Sequence, residues 1–463
     1  MKICIACGNR NNRDEARRCD QCGTELSSVS PPTVLPRAPA LNTAKPPPPV
    51  DRTRRFRMPE ELTKEQDLVN DLPMTGRHLL IGGPGTGKSV VALLRASRLV
   101  RSNRKHTFLA YNRLLIHYCG SLSSVPINAR TWTAWFMNTW RQQLQQALPL
   151  RPAQKEGGWQ DIDWSAVSAI LTETNSVAPP NSPYLVIDEG QDMPREFYWA
   201  LSDLGYSNIF VSADFNQVLN PGKNSNRRDL IEALEKAPRK VVNVDTPKDR
   251  LFDPSAVVEL SYNHRNPGPI ARLAAYICKN LDNPQSSCPV VRDDMRDADL
   301  PVLFAYDPKD PARDFNKVCD LILIQADLNP RWLIGILCFT TRIRNDYKTA
   351  LDARLLVISG RLDHGDPRIE VLDMGQQREP DFSQGGIVLL TAHSCKGLEF
   401  DLVVIADIDS YWTSVANHQL FYVMVSRAQE RLILLRNLLA ERCPIDAILP
   451  HDPNLLIRDL PIP

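Results

Sequence analysis

Short, continuous apolar runs recur along the body of this chain, and each ends in a polar or glycine-rich turn. The runs His78–Ile81, Thr107–Ala110 and Tyr184–Ile187 are typical of buried strands, and Val90–Ala96 is typical of a helix. Strands that are apolar on both faces belong to parallel sheets covered by helices. The pattern predicts an α/β fold, with a small, partly helical insertion at about residues 139–182, where strand signals are weak.

Length and charge set further limits. At 463 residues the chain is too long for one ordinary core, and about three domains are expected. The formal net charge is +1, but residues 1–58 hold 11 Lys/Arg against 5 Asp/Glu, and the remainder has a net charge of −5. Such a basic arm either meets a polyanion or is a solvated linker. Since no apolar run reaches the roughly 18 residues of a membrane span and no signal-peptide core is present, we expect a soluble, cytoplasmic protein with no membrane partner.

Four of the 11 cysteines form two Cys-x-x-Cys pairs near the N-terminus, a spacing that resembles a zinc ribbon: Cys4, Cys7, Cys19 and Cys22. Four thiolates in a closed tetrahedron favour Zn²⁺, and the ion supplies folding energy to a module too small for a core. A thioredoxin-like redox pair is the alternative, but neither motif opens a βαβ unit. We therefore predict structural zinc in residues 1–26, on a module that binds either nucleic acid or a protein partner. The other seven cysteines are expected to be buried thiols, since a reducing compartment disfavours disulfides: Cys119, Cys278, Cys288, Cys319, Cys338, Cys395 and Cys443.

A glycine-rich turn follows the first predicted strand and has the full phosphate-binding pattern G-x-x-x-x-G-K-[ST]. Its residues are Gly82, Gly83, Pro84, Gly85, Thr86, Gly87, Lys88 and Ser89. Glycines allow backbone N–H groups to turn inward around phosphate oxygens, and the N-terminus of the following helix adds the positive end of its dipole. Lys88 would reach the β- and γ-phosphates of a nucleotide, and the Ser89 hydroxyl would ligate Mg²⁺.

The strand Tyr184–Ile187 ends in two adjacent carboxylates, Asp188 and Glu189, which form a Walker B pattern. Two buried acids at a strand end are costly without a cation nearby. Asp188 would hold Mg²⁺ through water, and Glu189 would orient and deprotonate an attacking water. Upstream, Gln66 is a candidate reader of the adenine edge, although a glutamine at the start of a helix is more often simply solvated. These residues predict that ATP is bound with Mg²⁺ and hydrolysed.

The string Asp-Glu-Gly-Gln-Asp at residues 188–192 resembles the second motif of superfamily 1 helicases of the UvrD/Rep type. The resemblance extends from about residue 60 to about residue 440, with its motifs in the family order. It implies two RecA-like P-loop NTPase domains with parallel sheets, with ATP in the cleft between them and single-stranded nucleic acid across their tops. The domains would span about 58–247 and 248–463, the second with a reduced insertion at about 282–384. A proline-rich, basic linker at residues 27–57 would join them to the zinc ribbon.

The later motifs imply roles for individual residues. Gln217 would sense the γ-phosphate, Arg265 would contact it, and Arg427 would act as the second arginine finger. With both arginines on the second domain, hydrolysis would depend on closing the cleft. Glu399 would approach the ribose, and His264 stands where the family usually has a tyrosine that stacks on adenine.

Candidate nucleic-acid contacts lie at the ends of predicted strands, where parallel sheets form their ligand crevices. Aromatic rings there would stack on bases and basic groups would hold phosphates, although a place in the core is an equal alternative for Tyr111 and Trp132. The family resemblance adds a Thr/His region that touches the nucleic-acid backbone. The candidates are Tyr111, Asn112, Arg113, Thr131, Trp132, Thr391 and His393.

These expectations combine into a leading hypothesis and an alternative. The leading hypothesis is a nucleic-acid-stimulated ATPase that translocates on single-stranded DNA, or on RNA, and unwinds duplexes. The alternative is an ATP-driven conformational switch, recruited to a partner protein through the zinc ribbon, without processive unwinding. The compact body is more similar to the short, RecD-like or stand-alone members of the family than to its repair helicases.

Overall fold

The computed structural model describes residues 62–111, 116, 126–152, 160–174, 182–218, 225–236, 252–254, 257–281, 286–292, 295–307, 314–372, 385–410, 415–438 and 444–461. The predicted zinc ribbon at residues 1–26 and the linker at 27–57 lie outside them. Two parallel sheets with helices on their faces organise the described chain, which confirms the predicted α/β class. Within these residues, no helix has the length and apolar character needed to cross a membrane.

The first sheet has the strand order β3-β2-β4-β5-β1-β6, and every neighbouring pair is parallel. Its strands are β1 (Arg77–Gly82), β2 (His106–Ala110), β3 (Ala129–Thr131), β4 (Tyr184–Ile187), β5 (Ile209–Ala213) and β6 (Val258–Leu260). Its helices are α1 (Lys64–Asn70), α2 (Lys88–Arg101), α3 (Trp132–Leu144), α4 (Trp164–Glu173), α5 (Arg195–Asp203) and α6 (Arg227–Glu235). Leu79 and Ile81 of β1 pack with α3 to α6, whereas Leu80 packs with α1 and α2, so the strand is buried on both faces.

The edge strand β6 joins the first sheet, whereas the sequence analysis places residues 248–463 with the second domain. Its three residues pair in parallel with Leu80, Ile81 and Gly82 of β1. The loop that follows β6, which carries Arg265, therefore leaves the first sheet beside the phosphate loop. The sequence analysis expected Arg265 on the second domain, but its loop begins at the first sheet.

The second sheet has the order β13-β7-β12-β11-β8-β10-β9, again with all neighbours parallel. Its strands are β7 (Val302–Tyr306), β8 (Leu333–Cys338), β9 (Ile369–Val371), β10 (Gly386–Thr391), β11 (Phe400–Ile405), β12 (Ala428–Asn437) and β13 (Ile457–Pro461). Its helices are α7 (Gly268–Lys279), α8 (Asn316–Leu328), α9 (Thr341–Ile358) and α10 (Val415–Val425). Ile334 and Ile336 of β8 share a core with α8 and α9, whereas Leu333 and Leu337 share one with α7 and α10.

The interval 282–384, predicted to be a reduced insertion, contains β7, β8 and β9. All six residues of β8 are buried, and the strand lies between β10 and β11 inside the sheet. The described strands of this interval thus belong to the second sheet itself. In the other predicted insertion, 139–182, the described residues contain the end of α3, the helix α4 and an antiparallel bridge between Leu150 and Ile162.

Two of the scattered cysteines are joined, which corrects the prediction that all seven are free thiols. Cys278, near the C-terminal end of α7, forms a disulfide with Cys288. The bond closes because the chain returns after ten residues to the same hydrophobic core, against which Cys288 packs. Cys319, Cys338 and Cys395 are buried free thiols as predicted, and Cys119 and Cys443 lie outside the described residues.

The disulfide should stabilise the protein, because it restricts the unfolded chain. For the sequence separation of 10, loop-closure entropy corresponds to roughly 2–3 kcal/mol of unfolding free energy. We expect the variant Cys278→Ala/Cys288→Ala to lose about this amount in a denaturant titration, and the native chain to lose a similar amount when reductant is added. The double variant is the control and should not respond to reductant. A native chain whose midpoint is the same with and without reductant would contradict the assignment.

Candidate nucleotide-binding site

The phosphate loop lies between β1 and α2, as the sequence predicts. Gly85 and Gly87 have φ values of 77° and 91°, in the left-handed region that favours glycine. Both also approach their neighbours closely. An added Cβ would lie 2.2 Å from Asn263 Oδ1 at Gly85 and 2.3 Å from Gln66 Nε2 at Gly87. The loop is therefore held between α1 and the loop that follows β6, and only glycine fits at these two contacts.

Lys88 begins α2, and its ammonium group folds back over the phosphate loop. Its Nζ donates to Gly83 O at 2.9 Å and lies 3.8 Å from Asp214 Oδ2. Burial lowers the pKa of Lys88, and the charges of Asp214 and Glu189 oppose that shift. A buried cation is thus balanced by carboxylates at the ends of β4 and β5, beside the loop where phosphate oxygens are predicted to bind.

Asp188 follows β4 and is fully buried. Its Oδ1 accepts hydrogen bonds from the Ser212 hydroxyl and from the backbone N–H of Glu189, and the Ser89 hydroxyl acts to lower its pKa. Burial, together with the charge of Glu189, raises the pKa of Asp188. No donor among the described residues reaches Asp188 Oδ2. A buried carboxylate oxygen without a donor, beside a serine hydroxyl, offers the hard oxygen ligands that Mg²⁺ prefers.

A self-contained metal site is not found in the part of the chain that the structure describes, where no group of three or more His, Cys, Asp or Glu side chains could hold an ion. Magnesium at Ser89 and Asp188 would share its coordination with nucleotide phosphates and water, as is usual for this ion. The four cysteines predicted to hold zinc are outside the described residues.

Glu189 has a φ of 55°, an uncommon value for a residue other than glycine, and its side chain is buried. Gln191 Nε2 donates to Glu189 Oε2 at 2.7 Å, while Gln191 Oε1 accepts from the backbone N–H of Asp214 at 2.9 Å. Burial would raise the pKa of Glu189, but the charges of Lys396 and Lys88 outweigh it and hold the pKa below its usual value. Glu189 is therefore an oriented, ionised carboxylate.

Lys396 is a site residue that the sequence analysis missed. It lies in the loop between β10 and β11, and its Nζ is 2.6 Å from Asp192 Oδ2 and 3.5 Å from Glu189 Oε2. The same group donates to the carbonyl of Gln217. Only 1% of Lys396 is exposed, so its charge is neutralised almost entirely by these carboxylates. The sequence offered one signal for it. A lysine lies between Cys395 and Gly397, shortly after an apolar strand, and a lysine that is buried there needs a counter-charge.

Gln217 and Arg427 connect the two sheets. Arg427 follows α10 and is 2% exposed, and its guanidinium donates to Gln217 Oε1 at 2.7 Å. Gln217 Nε2 lies 3.4 Å from Ser426 Oγ. Burial, followed by the charge of Arg265, lowers the pKa of Arg427. The structure thus brings the predicted γ-phosphate sensor into direct contact with one predicted arginine finger.

Arg265 is paired with the residue predicted to approach the ribose. Its Nε lies 2.7 Å from Glu399 Oε1, and Glu399 Oε2 accepts a hydrogen bond from Gln429. Arg265 also lies against the phosphate loop, since a Cβ added at Gly85 would be 3.0 Å from Arg265 Cβ, and its charge contributes to the lowered pKa of Lys88. The arginine is therefore beside the phosphate loop, with its guanidinium held by Glu399.

Gln66 and His264, the two candidate contacts of the base, have different surroundings. Gln66 is buried, donates from Nε2 to Thr86 O at 2.9 Å and accepts from the backbone N–H of Thr63 at 3.1 Å. Its amide therefore braces the phosphate loop and caps α1, which differs from the adenine contact considered above. The His264 N–H donates to Gly85 O at 2.8 Å, and its ring is half-buried.

The candidate nucleic-acid contacts separate into core and partly exposed residues. Trp132 is 8% exposed, and its ring lies 5.1 Å from that of Phe197, so the core alternative applies to it. Tyr111 is half-buried and packs against the cores of both sheets. Thr131 and His393 are partly exposed, whereas Asn112 and Arg113 lie outside the described residues. Thr391 is also partly exposed, and its hydroxyl lies 3.0 Å from that of Ser394.

Residues 386–435 match the UvrD-like helicase C-terminal domain. The matched stretch includes Lys396, Glu399 and Arg427, so it supplies the second sheet's share of the site. No curated protein matches the chain.

Two solved structures of helicases show weaker likeness. The C-terminal domain of a possible DNA helicase from Lactobacillus plantarum WCFS1 is 20% identical, over 43% of this chain and 99% of that one, with a TM-score of 0.30. The PRRSV helicase is 12% identical, over 78% of this chain and 52% of that one, with a TM-score of 0.34. This chain therefore spans about half the length of the PRRSV protein. At these scores neither likeness carries an argument about fold or function.

Replacing Lys396 should destabilise the protein strongly, because two buried carboxylates would lose their cation. We expect Lys396→Met to lower the unfolding free energy at pH 7 by roughly 3–5 kcal/mol, measured by denaturant titration. In the native chain the lowered pKa of Glu189 means that this carboxylate adds stability above its unfolded pKa of about 4, which is lost as pH falls through the folded value. In Lys396→Met, the effect of burial on Glu189 is no longer offset by Lys396, which raises the pKa of Glu189. The difference in unfolding free energy between the variant and the native chain should therefore shrink as the pH falls.

The matched control is Lys396→Arg, which keeps the charge and should restore most of the stability. Equal unfolding free energies for the native chain and Lys396→Met at pH 7 would contradict the buried ion pair.

Proposed function

We propose that this chain is an ATP-hydrolysing nucleic-acid motor of the superfamily 1 helicase type, with its nucleotide bound between the two sheets. The observation that carries the proposal is the contact of Lys396 and Arg427 with Glu189 and Gln217, which joins loops of the two sheets at one buried site. The helicase match over residues 386–435, which includes both cations, supports it.

Hydrolysis requires a positioned water and positive charge around the transferred phosphoryl group. Mg²⁺ would supply part of that charge when bound with the nucleotide, and Ser89 and Asp188 would hold it. Glu189 is kept ionised by neighbouring cations and oriented by Gln191, so it would accept the proton of the attacking water. Lys88 would hold the phosphates once they displace its present contact with Gly83.

Arg427 and Arg265 would supply the remaining positive charge by exchanging their present partners for the phosphate. Arg427 now donates to Gln217 and Arg265 to Glu399, and a γ-phosphate would compete for both guanidinium groups. Since Arg427 and Glu399 lie on loops of the second sheet, exchanging these contacts would shift that sheet against the first. Hydrolysis and phosphate release would reverse the shift, which is how a chemical cycle becomes movement.

Single-stranded DNA is the proposed track, with RNA as the second polynucleotide to test, and duplex unwinding is the proposed outcome. Thr391 ends β10 and His393 lies in the loop that carries Lys396, and Tyr111 packs against the cores of both sheets. A strand held by these residues would therefore be connected to the carboxylates of the nucleotide site through one buried ion pair.

The motor proposal predicts ATP hydrolysis that depends on Glu189 and on a polynucleotide. We expect single-stranded DNA to stimulate turnover in the native chain, and Glu189→Gln to lower kcat by roughly 10²–10⁴-fold because it cannot accept the proton. The matched control is Glu196→Gln on α5, whose side chain is partly exposed and pairs with Arg195. This variant should hydrolyse ATP like the native chain.

Strand displacement on tailed duplexes, measured with the same preparations, separates the motor from the conformational switch. Stimulated turnover with displacement supports the helicase, whereas stimulated turnover without displacement indicates translocation or a switch. ATP hydrolysis that no polynucleotide stimulates would exclude the motor.

We also propose that Cys4, Cys7, Cys19 and Cys22 bind zinc and that this module recruits nucleic acid or a protein partner. Metal analysis of the purified chain should find about one zinc per molecule, lost in Cys4→Ser/Cys7→Ser. ATP hydrolysis should persist in that variant, because these cysteines precede the residues of the nucleotide site. A metal-free native chain would exclude the ribbon.

A further inference from the structure

A short segment that follows α7, which we call the strap, contains residues 286–292. The Cys278–Cys288 disulfide ties it to α7. Cys278 is completely buried in the core that α7 shares with the second sheet, whereas Cys288 is only half-buried and follows the exposed Ser287. The bond therefore fastens the strap to a fixed point in the core, and Cys288 is the more accessible of its two cysteines.

The residue after Cys288 lies directly against the phosphate loop. A Cβ added at Gly83 would be 2.2 Å from Pro289 Cγ, and Pro289 is buried. The Gly83 carbonyl accepts hydrogen bonds of 2.9 Å from Lys88 Nζ and from the Thr86 hydroxyl. The strap thus supports the phosphate loop at the residue whose carbonyl Lys88 contacts.

A second contact connects the strap to the phosphate loop through the loop that follows β6. The Asn263 N–H donates to Val290 O at 3.1 Å, and the Val290 N–H donates to Ser261 O at 2.7 Å. The Asn263 side chain also lies against the phosphate loop, because a Cβ added at Gly85 would be 2.2 Å from Asn263 Oδ1. A displacement of the strap would therefore be transmitted to the phosphate loop at both Gly83 and Gly85.

Asn216 connects the disulfide to another part of the nucleotide site. Its Nδ2 lies 3.4 Å from Cys278 Sγ and donates to Ser286 O at 2.9 Å, and its Oδ1 accepts from the Ser286 N–H at 3.1 Å. Asn216 is fully buried and shares one short turn with Gln217, whose side chain accepts from Arg427 at 2.7 Å. The turn that carries the predicted γ-phosphate sensor is thus bound both to a sulfur of the disulfide and to the strap.

We propose that the Cys278–Cys288 bond is a redox modification site, which a dithiol reductant cleaves and whose cleavage weakens nucleotide binding. This inference rests on the proposed function, because it requires a nucleotide in the phosphate loop. In the disulfide-bonded chain the strap holds the phosphate loop and the turn of Gln217 in one arrangement around α7. Reduction releases the strap from α7, so that part of the binding free energy must order these segments again.

The reduction is a thiol–disulfide exchange with a dithiol. One thiolate of the reductant attacks Cys288 Sγ, a mixed disulfide forms, and Cys278 leaves as a thiolate that then takes a proton. The Asn216 amide group lies beside Cys278 Sγ and can donate a hydrogen bond to that thiolate. The second thiol of the reductant then displaces Cys288. Two electrons and two protons thereby pass to the chain, which gains two thiols, and the reductant becomes a disulfide.

Nucleotide affinity should be measured by calorimetry for the disulfide-bonded chain and for the chain reduced with dithiothreitol, using a non-hydrolysable ATP analogue and Mg²⁺. We expect the Kd of the analogue to rise roughly 5- to 50-fold on reduction, since coupling between two sites of one protein is commonly of this order. Equal Kd values for the two forms, or tighter binding by the reduced form, would overturn the redox site.

The same coupling must act in the opposite direction, so the nucleotide should protect the disulfide. The native chain is equilibrated in buffers of reduced and oxidised dithiothreitol, with and without the analogue at a concentration that saturates both forms. The fractions of Cys278 and Cys288 that are thiols are read by differential alkylation and mass spectrometry. For each tenfold difference in Kd, the analogue should make the midpoint potential about 30 mV more negative. A midpoint that the bound analogue does not move would overturn the coupling.

The variant Cys278→Ala/Cys288→Ala should bind the analogue like the reduced native chain and should not respond to dithiothreitol. The matched control is Cys319→Ala on α8, which removes a buried free thiol, keeps the disulfide and should respond like the native chain. A double variant that still responds to dithiothreitol would assign the effect to other cysteines and overturn the site. The redox titration needs no variant, so it decides the matter if the double variant does not fold.

Lys88→Ala distinguishes failure of the redox site from failure of the proposed function. If the disulfide-bonded native chain does not bind the analogue, or Lys88→Ala binds it equally well, the nucleotide site itself is wrong. If Lys88→Ala weakens binding but neither Kd nor midpoint potential shows coupling, only the redox site is wrong.

Discussion

The buried ion pair between Lys396 and Asp192 is the constraint on which the rest of the site depends. Both side chains are almost completely removed from water, at a cost of several kcal/mol for each ion unless a partner compensates. Lys396 comes from the loop after β10 and Asp192 from the turn after β4, so each charge is neutralised by a group from a loop of the other sheet. The two sheets must therefore meet at this point, and Glu189 stays ionised because they do.

The local parts of this arrangement could be predicted from the sequence. The phosphate loop is specified by glycines that need positive φ or close contact, and both properties follow from the motif itself. Asp188 and Glu189 follow a continuous apolar strand, which is sufficient to place them at the carboxyl ends of the strands of a parallel sheet. The α/β class followed from the same apolar runs, because strands buried on both faces leave no alternating pattern.

The parts that could not be predicted depend on contacts between distant segments. Three residues of β6 carry no periodicity, so only their pairing with β1 shows which sheet they join. Gln66 has the same sequence signature whether its amide meets a base or the carbonyl of Thr86. Lys396 lies more than 200 residues from Asp192 in the sequence, so nothing local indicates that they pair. The strands β7 to β9 lie in an interval that contains none of the recognised motifs. Motifs identify the chemical groups, whereas the tertiary structure decides their partners.

The pairing of charges also explains how such a site could respond to a nucleotide. Lys88 lies beside Asp214, Arg265 is paired with Glu399, and Arg427 donates to the side-chain oxygen of Gln217. Under the proposed function, a triphosphate would bring several negative charges into this buried region, and the cations would turn from their present partners to accommodate it. Two of the three exchanges involve groups on loops of the second sheet, while the Lys396–Asp192 pair continues to hold the sheets together. In that proposal, binding energy would be directed into relative movement about a fixed contact, which is the physical requirement for coupling hydrolysis to a change of shape.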